Sequence, residues 1–191
     1  MRARLLNSGS VGEFSYRLAR KDDFPALAEV MRLAIEVLQR DFLDPREIEA
    51  SKAVMGLDHQ LIEDATYFVI EQACNIVGCG GWSLRATLYG GSHSLHLRDP
   101  APLDPASDAA RIRAMYTHPD YKRRGVGRLI IDLCEKAAFA NGFRRTELMA
   151  TLAGEPLYRA CGYTVIEKTC SAAIDGIKVP LLRMSKELST N

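Results

Sequence analysis

The 191-residue sequence has no apolar run approaching the roughly 20 residues that span a bilayer, which excludes a transmembrane helix. It also lacks an excess of either charge. Its 25 Lys and Arg meet 24 Asp and Glu, and a net charge of +1 exerts no general pull towards nucleic acid or an anionic membrane. Basic residues therefore matter only where they cluster. The five cysteines, at 74, 79, 134, 161 and 170, are odd in number and contain no Cys-x-x-Cys pair, so no disulfide framework is indicated. No apolar N-terminal stretch resembles a signal peptide, and a reducing cytoplasm is the expected location. Repeats and low-complexity tracts are missing as well. What remains is an ordinary globular composition, long enough for one domain with a sizeable core. Residues 1–13 read as a flexible lead and 14–191 as that single domain.

One stretch concentrates both charge and glycine: Tyr116-Thr-His-Pro-Asp-Tyr-Lys-Arg-Arg-Gly-Val-Gly-Arg-Leu-Ile-Ile131. A strand ends here, a basic turn follows, and an amphipathic helix begins. Gly125 and Gly127 allow the main chain conformations and approaches that a Cβ would hinder. The turn amides and the first N–H groups of the helix then form a cradle for an anion, a phosphate above all. A solvated basic corner shaped by two glycines is the structural alternative. The common nucleotide signatures do not fit, because Gly125–Ile130 lacks a third glycine and no Gly-Lys-Ser/Thr follows.

The rest of the chain falls into alternating elements. Phe14, Tyr16 and Leu18 alternate as in a half-buried strand. Asp22 and Asp23 offer helix N-caps, and Leu27, Met31, Ala34, Ile35 and Leu38 recur at helical spacing to about Gln39. A second helix fits 45–55 and a short third 58–64. Strands at 66–71 and 76–83 form a hairpin around 73–75, with Gly78, Gly80 and Gly81 marking a bulge or a close approach. Residues 86–110 are turn-rich. A strand at 110–117 places Ile112, Ala114 and Tyr116 on one face and Arg111, Arg113, Met115 and Thr117 on the other. The helix after the cradle pairs Asp132 with Lys136 and ends at Asn141-Gly142. A strand at 145–150, a short helix at 156–161 and two strands around Asp175-Gly176 complete the chain. His93 and His96 have no companion ligand at metal spacing before Asp99, and no metal is expected.

Residues 115–163 resemble the Gcn5-related N-acetyltransferase (GNAT) family. The family's pyrophosphate loop, Arg/Gln-x-x-Gly-x-Gly/Ala, is matched by Lys122-Arg-Arg-Gly-Val-Gly127, with Lys122 a conservative departure. Its late aromatic-Tyr-x-x-x-Gly-aromatic segment is matched by Leu157-Tyr-Arg-Ala-Cys-Gly-Tyr163, with Leu157 replacing the first aromatic. The resemblance implies a mixed α/β fold: a mostly antiparallel sheet of about seven strands with helices on both faces. It also implies acetyl-CoA as cosubstrate. By motif position, backbone groups of Met115, Tyr116 and Thr117 would hold the pantetheine and acetyl carbonyl. Lys122, Arg123, Arg124, Gly125, Val126, Gly127 and Arg128 would hold the pyrophosphate, and Thr151 stands where many relatives carry a cofactor-contacting asparagine. Tyr158 matches the family's tyrosine, a general acid for the leaving thiolate.

The implied reaction is acetyl transfer to a primary amine of a small molecule or peptide, by direct attack in a ternary complex. Glu71, Glu147 and His118 are options for a general base, as is a water chain. Cys161, one turn from Tyr158, raises a covalent route. An acyl-CoA-binding sensor without turnover is the alternative from another class. Nucleic acid binding by the basic turn is a third, but no aromatic stacking platform accompanies it. The expected partners are acetyl-CoA and an amine acceptor, with neither nucleic acid nor membrane, and a homodimer is compatible. Acceptor recognition is expected from 36–62 and 86–110, which carry mixed charge.

Overall fold

The computed structural model describes residues 8–92, 97 and 99–189. Eight strands form one sheet: β1 (Ser8–Val11), β2 (Phe14–Leu18), β3 (Tyr67–Gln72), β4 (Asn75–Ser83), β5 (Ala110–Thr117), β6 (Arg145–Thr151), β7 (Thr164–Cys170) and β8 (Pro180–Glu187). Their spatial order is β1-β2-β3-β4-β5-β6-β8-β7. Every neighbouring pair is antiparallel except β5 and β6. Among the described residues five α-helices accompany them: α1 (Phe24–Leu38), α2 (Pro45–Val54), α3 (His59–Glu63), α4 (Val126–Ala140) and α5 (Glu155–Ala160).

Helices α1 and α4 cover opposite faces of the central strands. In β3, Tyr67 and Val69 pack with Leu27, Val30 and Ile35 of α1, whereas Phe68 and Ile70 pack with Ile130, Leu133 and Ala137 of α4. A strand covered on both faces is apolar at every position, which is why Tyr67–Ile70 does not alternate. Burying each of these large aliphatic or aromatic side chains stabilises the fold by about 1.5–3 kcal/mol. On β4, a Cβ at Gly78 would meet Val126 Cγ1 at 2.4 Å and one at Gly80 would meet Ile130 Cγ2 at 2.6 Å. The two glycines let α4 lie directly on the sheet.

Several local expectations hold. The β3–β4 turn runs through Ala73 and Cys74, both at positive φ. Helix α4 ends with Asn141 as C-cap and Gly142 at φ +97°. Asp132 accepts from Lys136 at 2.6 Å on the exposed side. The turn at Asp175-Gly176 is closed by the Ile174–Ile177 bridge.

Three expectations are corrected. Ser8–Val11, read as part of the loose lead, pairs with β2 in the register Val11↔Phe14, which makes eight strands rather than about seven. This edge strand is mostly exposed, so backbone pairing holds it and no apolar period announces it. Asp23 does not cap α1 with its side chain. Its carboxylate is taken by Arg17, at 2.7 and 2.9 Å, and by the backbone N–H of Arg20 at 2.6 Å. The third correction concerns β5, where Ala114 adopts φ +50° and the ladder to β4 shifts register. The alternation inverts there. Ile112 packs on the α4 side and Tyr116 on the α1 side, although strict alternation puts them together.

Candidate active site

The parallel pairing of β5 with β6 covers only Ala110↔Thr146, Arg111↔Glu147 and Ile112↔Leu148. Beyond that point β5 stays on β4 as far as Thr117, while β6 stays on β8 as far as Thr151. The two strands part, and their facing edges open onto a cavity of about 640 Å³. Met115, Tyr116 and Thr117 line it from β5 and Met149 and Thr151 from β6. The bulge at Ala114 is fastened by Tyr67, whose hydroxyl donates to the Ala114 carbonyl at 2.7 Å. Tyr116 is anchored away from β6 by a hydroxyl bond to Gly56 O at 3.2 Å.

The glycine turn stands at one end of this cavity. After β5, His118 accepts from the Asp120 N–H at 3.3 Å and a short 3-10 turn covers Pro119–Tyr121. Arg123 then takes φ +63° and Gly125 φ +90°, so the chain reverses twice before Val126 begins α4. Nothing stands within 4 Å of a Cβ position at Gly125, so its backbone faces open space. Gly127 has a different reason: a Cβ there would lie 2.6 Å from Leu157 Cδ2, and its absence lets α5 close against α4. The leading amides of α4 have no carbonyl of their own helix to bind, and Val126 and Gly127 at that end line the cavity.

The four cations of the turn divide. Lys122 and Arg123 line the cavity with Gly125, Val126 and Gly127. Arg124 instead binds Glu13 at 2.8 Å and lies 4.7 Å over the ring of Tyr121, and Arg128 donates to Ala160 O at 3.3 Å. Neither of these side chains is among the cavity lining.

Tyr158 reaches the same cavity from α5. Its hydroxyl lies 3.7 Å from Met115 Sδ, a weak acceptor, and its ring meets Tyr163 edge-on at 6.0 Å. Burial pushes this phenol well above its ordinary value, so it stays protonated at neutral pH. Thr151 lines the cavity with its Oγ1 accepting from the Gly154 N–H at 3.2 Å. Cys161 is half-buried, its thiol is held above its ordinary pKa chiefly by burial, and it is not part of the lining.

The three side chains considered as bases lie elsewhere. Glu147 is locked between Arg111, at 2.7 Å, and Arg183, at 2.6 and 3.0 Å. Glu71 accepts from Arg17 at 2.7 Å, and His118 packs edge-on against Tyr121 at 5.8 Å. None of them lines the cavity, whose one carboxylate among the described residues is Asp41.

Sequence reasoning also missed the buried pair of Arg113 and Asp58. Arg113 lines the cavity, binds Asp58 at 2.8 Å and donates to Gly90 O at 2.8 Å, tying β5 to α3 and to the long loop. The available signal was two arginines, Arg111 and Arg113, among the apolar residues of one strand, each of which requires a partner once buried. The far wall comes from Leu38, Gln39, Asp41 and Phe42 with residues 54–56 and 88–90, within the two segments expected to face an acceptor. His93 and His96 lie outside the described residues. Among the described residues no group of three or more His, Cys, Asp or Glu could hold a metal, and no helix is long and apolar enough to cross a membrane.

The sequence description of the acetyltransferase (GNAT) family matches residues 31–163. No curated protein matches the chain. Among solved structures, a GCN5-related N-acetyltransferase from Rhodopseudomonas palustris superposes with a TM-score of 0.68 at 20% identity, covering 94% of this chain and 99% of that one. The PaiA N-acetyltransferase from Thermoplasma acidophilum, in complex with coenzyme A, gives 0.61 at 16% identity over 93% of this chain and 100% of that one. The yncA protein of Salmonella typhimurium, solved with its cofactor acetyl-CoA, gives 0.60 at 17% identity over 94% and 96%. At these identities the likeness is one of fold.

Proposed function

We propose, from the premise that this chain belongs to the acetyltransferase (GNAT) family, that it transfers an acetyl group from acetyl-CoA to a primary amine within a ternary complex. The observation that carries this reading is the junction of the parted strands with the glycine turn. One cavity joins free backbone edges, an anion cradle and a protonated phenol. These residues fit the cosubstrate. The unpaired edge at Met115–Thr117 suits the amide-rich pantetheine arm. The amides that follow Gly125, with Lys122 and Arg123, suit a pyrophosphate.

In the transfer, the amine lone pair attacks the thioester carbonyl carbon. The C–N bond forms, the C–S bond breaks, and the sulfur leaves with the electron pair. Tyr158 Oη supplies a proton to that sulfur. Its raised pKa keeps it protonated on arrival and reduces the driving force of the transfer. The nucleophile must be the neutral amine, and with Glu71, Glu147 and His118 engaged elsewhere, its protons pass to water. Direct attack is favoured over an acetyl-cysteine route because the Cys161 thiol stands outside the cavity with a raised pKa.

The want of an enclosed base is what favours the second reading, a sensor that binds acyl-CoA without turnover. Calorimetry with acetyl-CoA, followed by thiol release over a panel of amines, separates the two. Tight binding with no release above the hydrolytic background would leave the sensor.

A further inference from the structure

Opposite the cradle, the cavity is walled by Leu38, Phe42, Val54, Met55, Leu88 and Tyr89, and Asp41 contributes a carboxylate at its rim. We infer that the acceptor is a monoamine with an aromatic or alkyl body and no carboxylate, seated on Phe42 and met by Asp41. The inference rests on the acetyl-transfer reading above.

Phe42 is the first observation. Its side chain lines the cavity yet its surface is 43% open, and of the large apolar residues left exposed among the described ones (Val11, Val37, Phe42 and Ile166) it alone faces this cavity. An aromatic held open to solvent inside a cleft is a surface that a ligand ring or chain can cover. The chain has made the position firm. The Gln39 carbonyl accepts from both Phe42 N and Leu43 N at 2.9 Å, Leu43 is buried beneath, and Gln39 is itself tied to Ser51 Oγ at 3.0 Å. This turn presents Asp41 and Phe42 side by side.

Charge then limits the ligand. Arg113 is answered by Asp58 at 2.8 Å, and Lys122 and Arg123 belong to the phosphate turn. Among the described residues Asp41 is the one carboxylate of the acceptor wall, matched to a single ammonium. A polyamine or aminoglycoside would bring further ammonium groups against apolar side chains with no second carboxylate among the described lining residues to meet them, which is costly. A free amino acid would set its carboxylate near that of Asp41, while the cations among the described lining residues are Arg113, paired with Asp58, and the Lys122 and Arg123 of the phosphate turn.

The full-length protein with acetyl-CoA provides the test. 2-Phenylethylamine, hexylamine, phenylalanine, spermidine, an aminoglycoside and a short peptide are compared by kcat/KM. Calorimetry of acetyl-CoA runs in parallel as an independent readout. Expected are a preference of about tenfold or more for 2-phenylethylamine over phenylalanine and spermidine, and a KM about tenfold higher in Phe42→Ala and in Asp41→Asn. Acetyl-CoA affinity should not change in either variant. A preference for spermidine, the aminoglycoside, phenylalanine or the peptide would overturn the inference, as would an unchanged KM in both variants. Acetyl-CoA binding without acetylation of either apolar amine would overturn it while leaving the cosubstrate reading intact. A wild-type protein that does not bind acetyl-CoA would remove both.

Discussion

The hydroxyl of Tyr67 donates to the carbonyl of Ala114 at 2.7 Å, fastening from β3 the left-handed residue that inverts β5. Tyr67 is fully buried, so the bond is shielded from water. Tyr67→Phe removes it and leaves the Ala114 carbonyl short of a donor, at a cost of about 1–3 kcal/mol. Thermal denaturation should show a melting temperature lower by at least about 2–4 °C. An unchanged midpoint would mean that the bulge holds without the hydroxyl.

Tyr158→Phe keeps the ring against Tyr163 and deletes the proton donor. We expect kcat to fall by about 100-fold or more, with acetyl-CoA affinity nearly unchanged. Because burial holds this phenol high, the wild-type pH–rate profile should rise as the acceptor amine deprotonates, with no falling limb near neutrality. Full activity in the phenylalanine variant would assign the proton to water.

Gly125 carries φ +90° in front of the cradle. Gly125→Ala should strain the turn by about 1–2 kcal/mol and weaken acetyl-CoA binding. Gly125→Glu adds a negative charge where the pyrophosphate would sit and should abolish it. Calorimetry on folded variants decides, and wild-type affinity in Gly125→Glu would move the pyrophosphate elsewhere.

Cys161→Ala should stay active, because the thiol is outside the cavity and its pKa is raised. Mass spectrometry of the protein after mixing with acetyl-CoA alone should find Cys161 unmodified. An acetyl group trapped there, lost on adding an amine, would replace direct attack with a two-step route.

Acid stability should depend on two carboxylates. Asp23 beside Arg17 and Asp64 beside Arg85 are both held below the ordinary carboxylate pKa by those guanidinium partners. Their stabilisation is complete above the unfolded value, near pH 4, and fades as pH falls through the lower folded values. Asp64→Asn loses the pair with Arg85, at 2.8 and 2.9 Å, at every pH above that range. Urea titrations at pH 7 and pH 3 should therefore show a larger gap between wild type and variant at pH 7. Equal gaps would mean that the Asp64 pKa is not shifted by folding.

Much of this was legible in the chain because its causes are local. Gly125 at the start of α4, Asn141-Gly142 at its end, and the turns at 73–74 and 175–176 are governed by a few adjacent residues and their backbone limits. The glycine turn proposed as the cradle is of this kind, a turn and a helix start within residues 122–128. The helices announced themselves by the spacing of apolar residues such as Leu27, Ala34 and Ile35, a property of the sequence alone. Tertiary structure decided what depends on distant partners. Ala114 looks like any strand residue until Tyr67, 47 positions away, takes its carbonyl. Ser8–Val11 has too little apolar content to signal a strand and becomes one because β2 offers an open edge. Arg124 and Arg128 carry the same charge as Lys122 and Arg123, and only folding turns the first two towards Glu13 and Ala160 and leaves the other pair on the cavity. Asp41 and Phe42 are two residues of an interhelical connection until α1, α2 and the 88–90 loop close around β5. Periodicity and turn chemistry act between near neighbours, whereas a cleft is made by surfaces that meet only when the chain has folded.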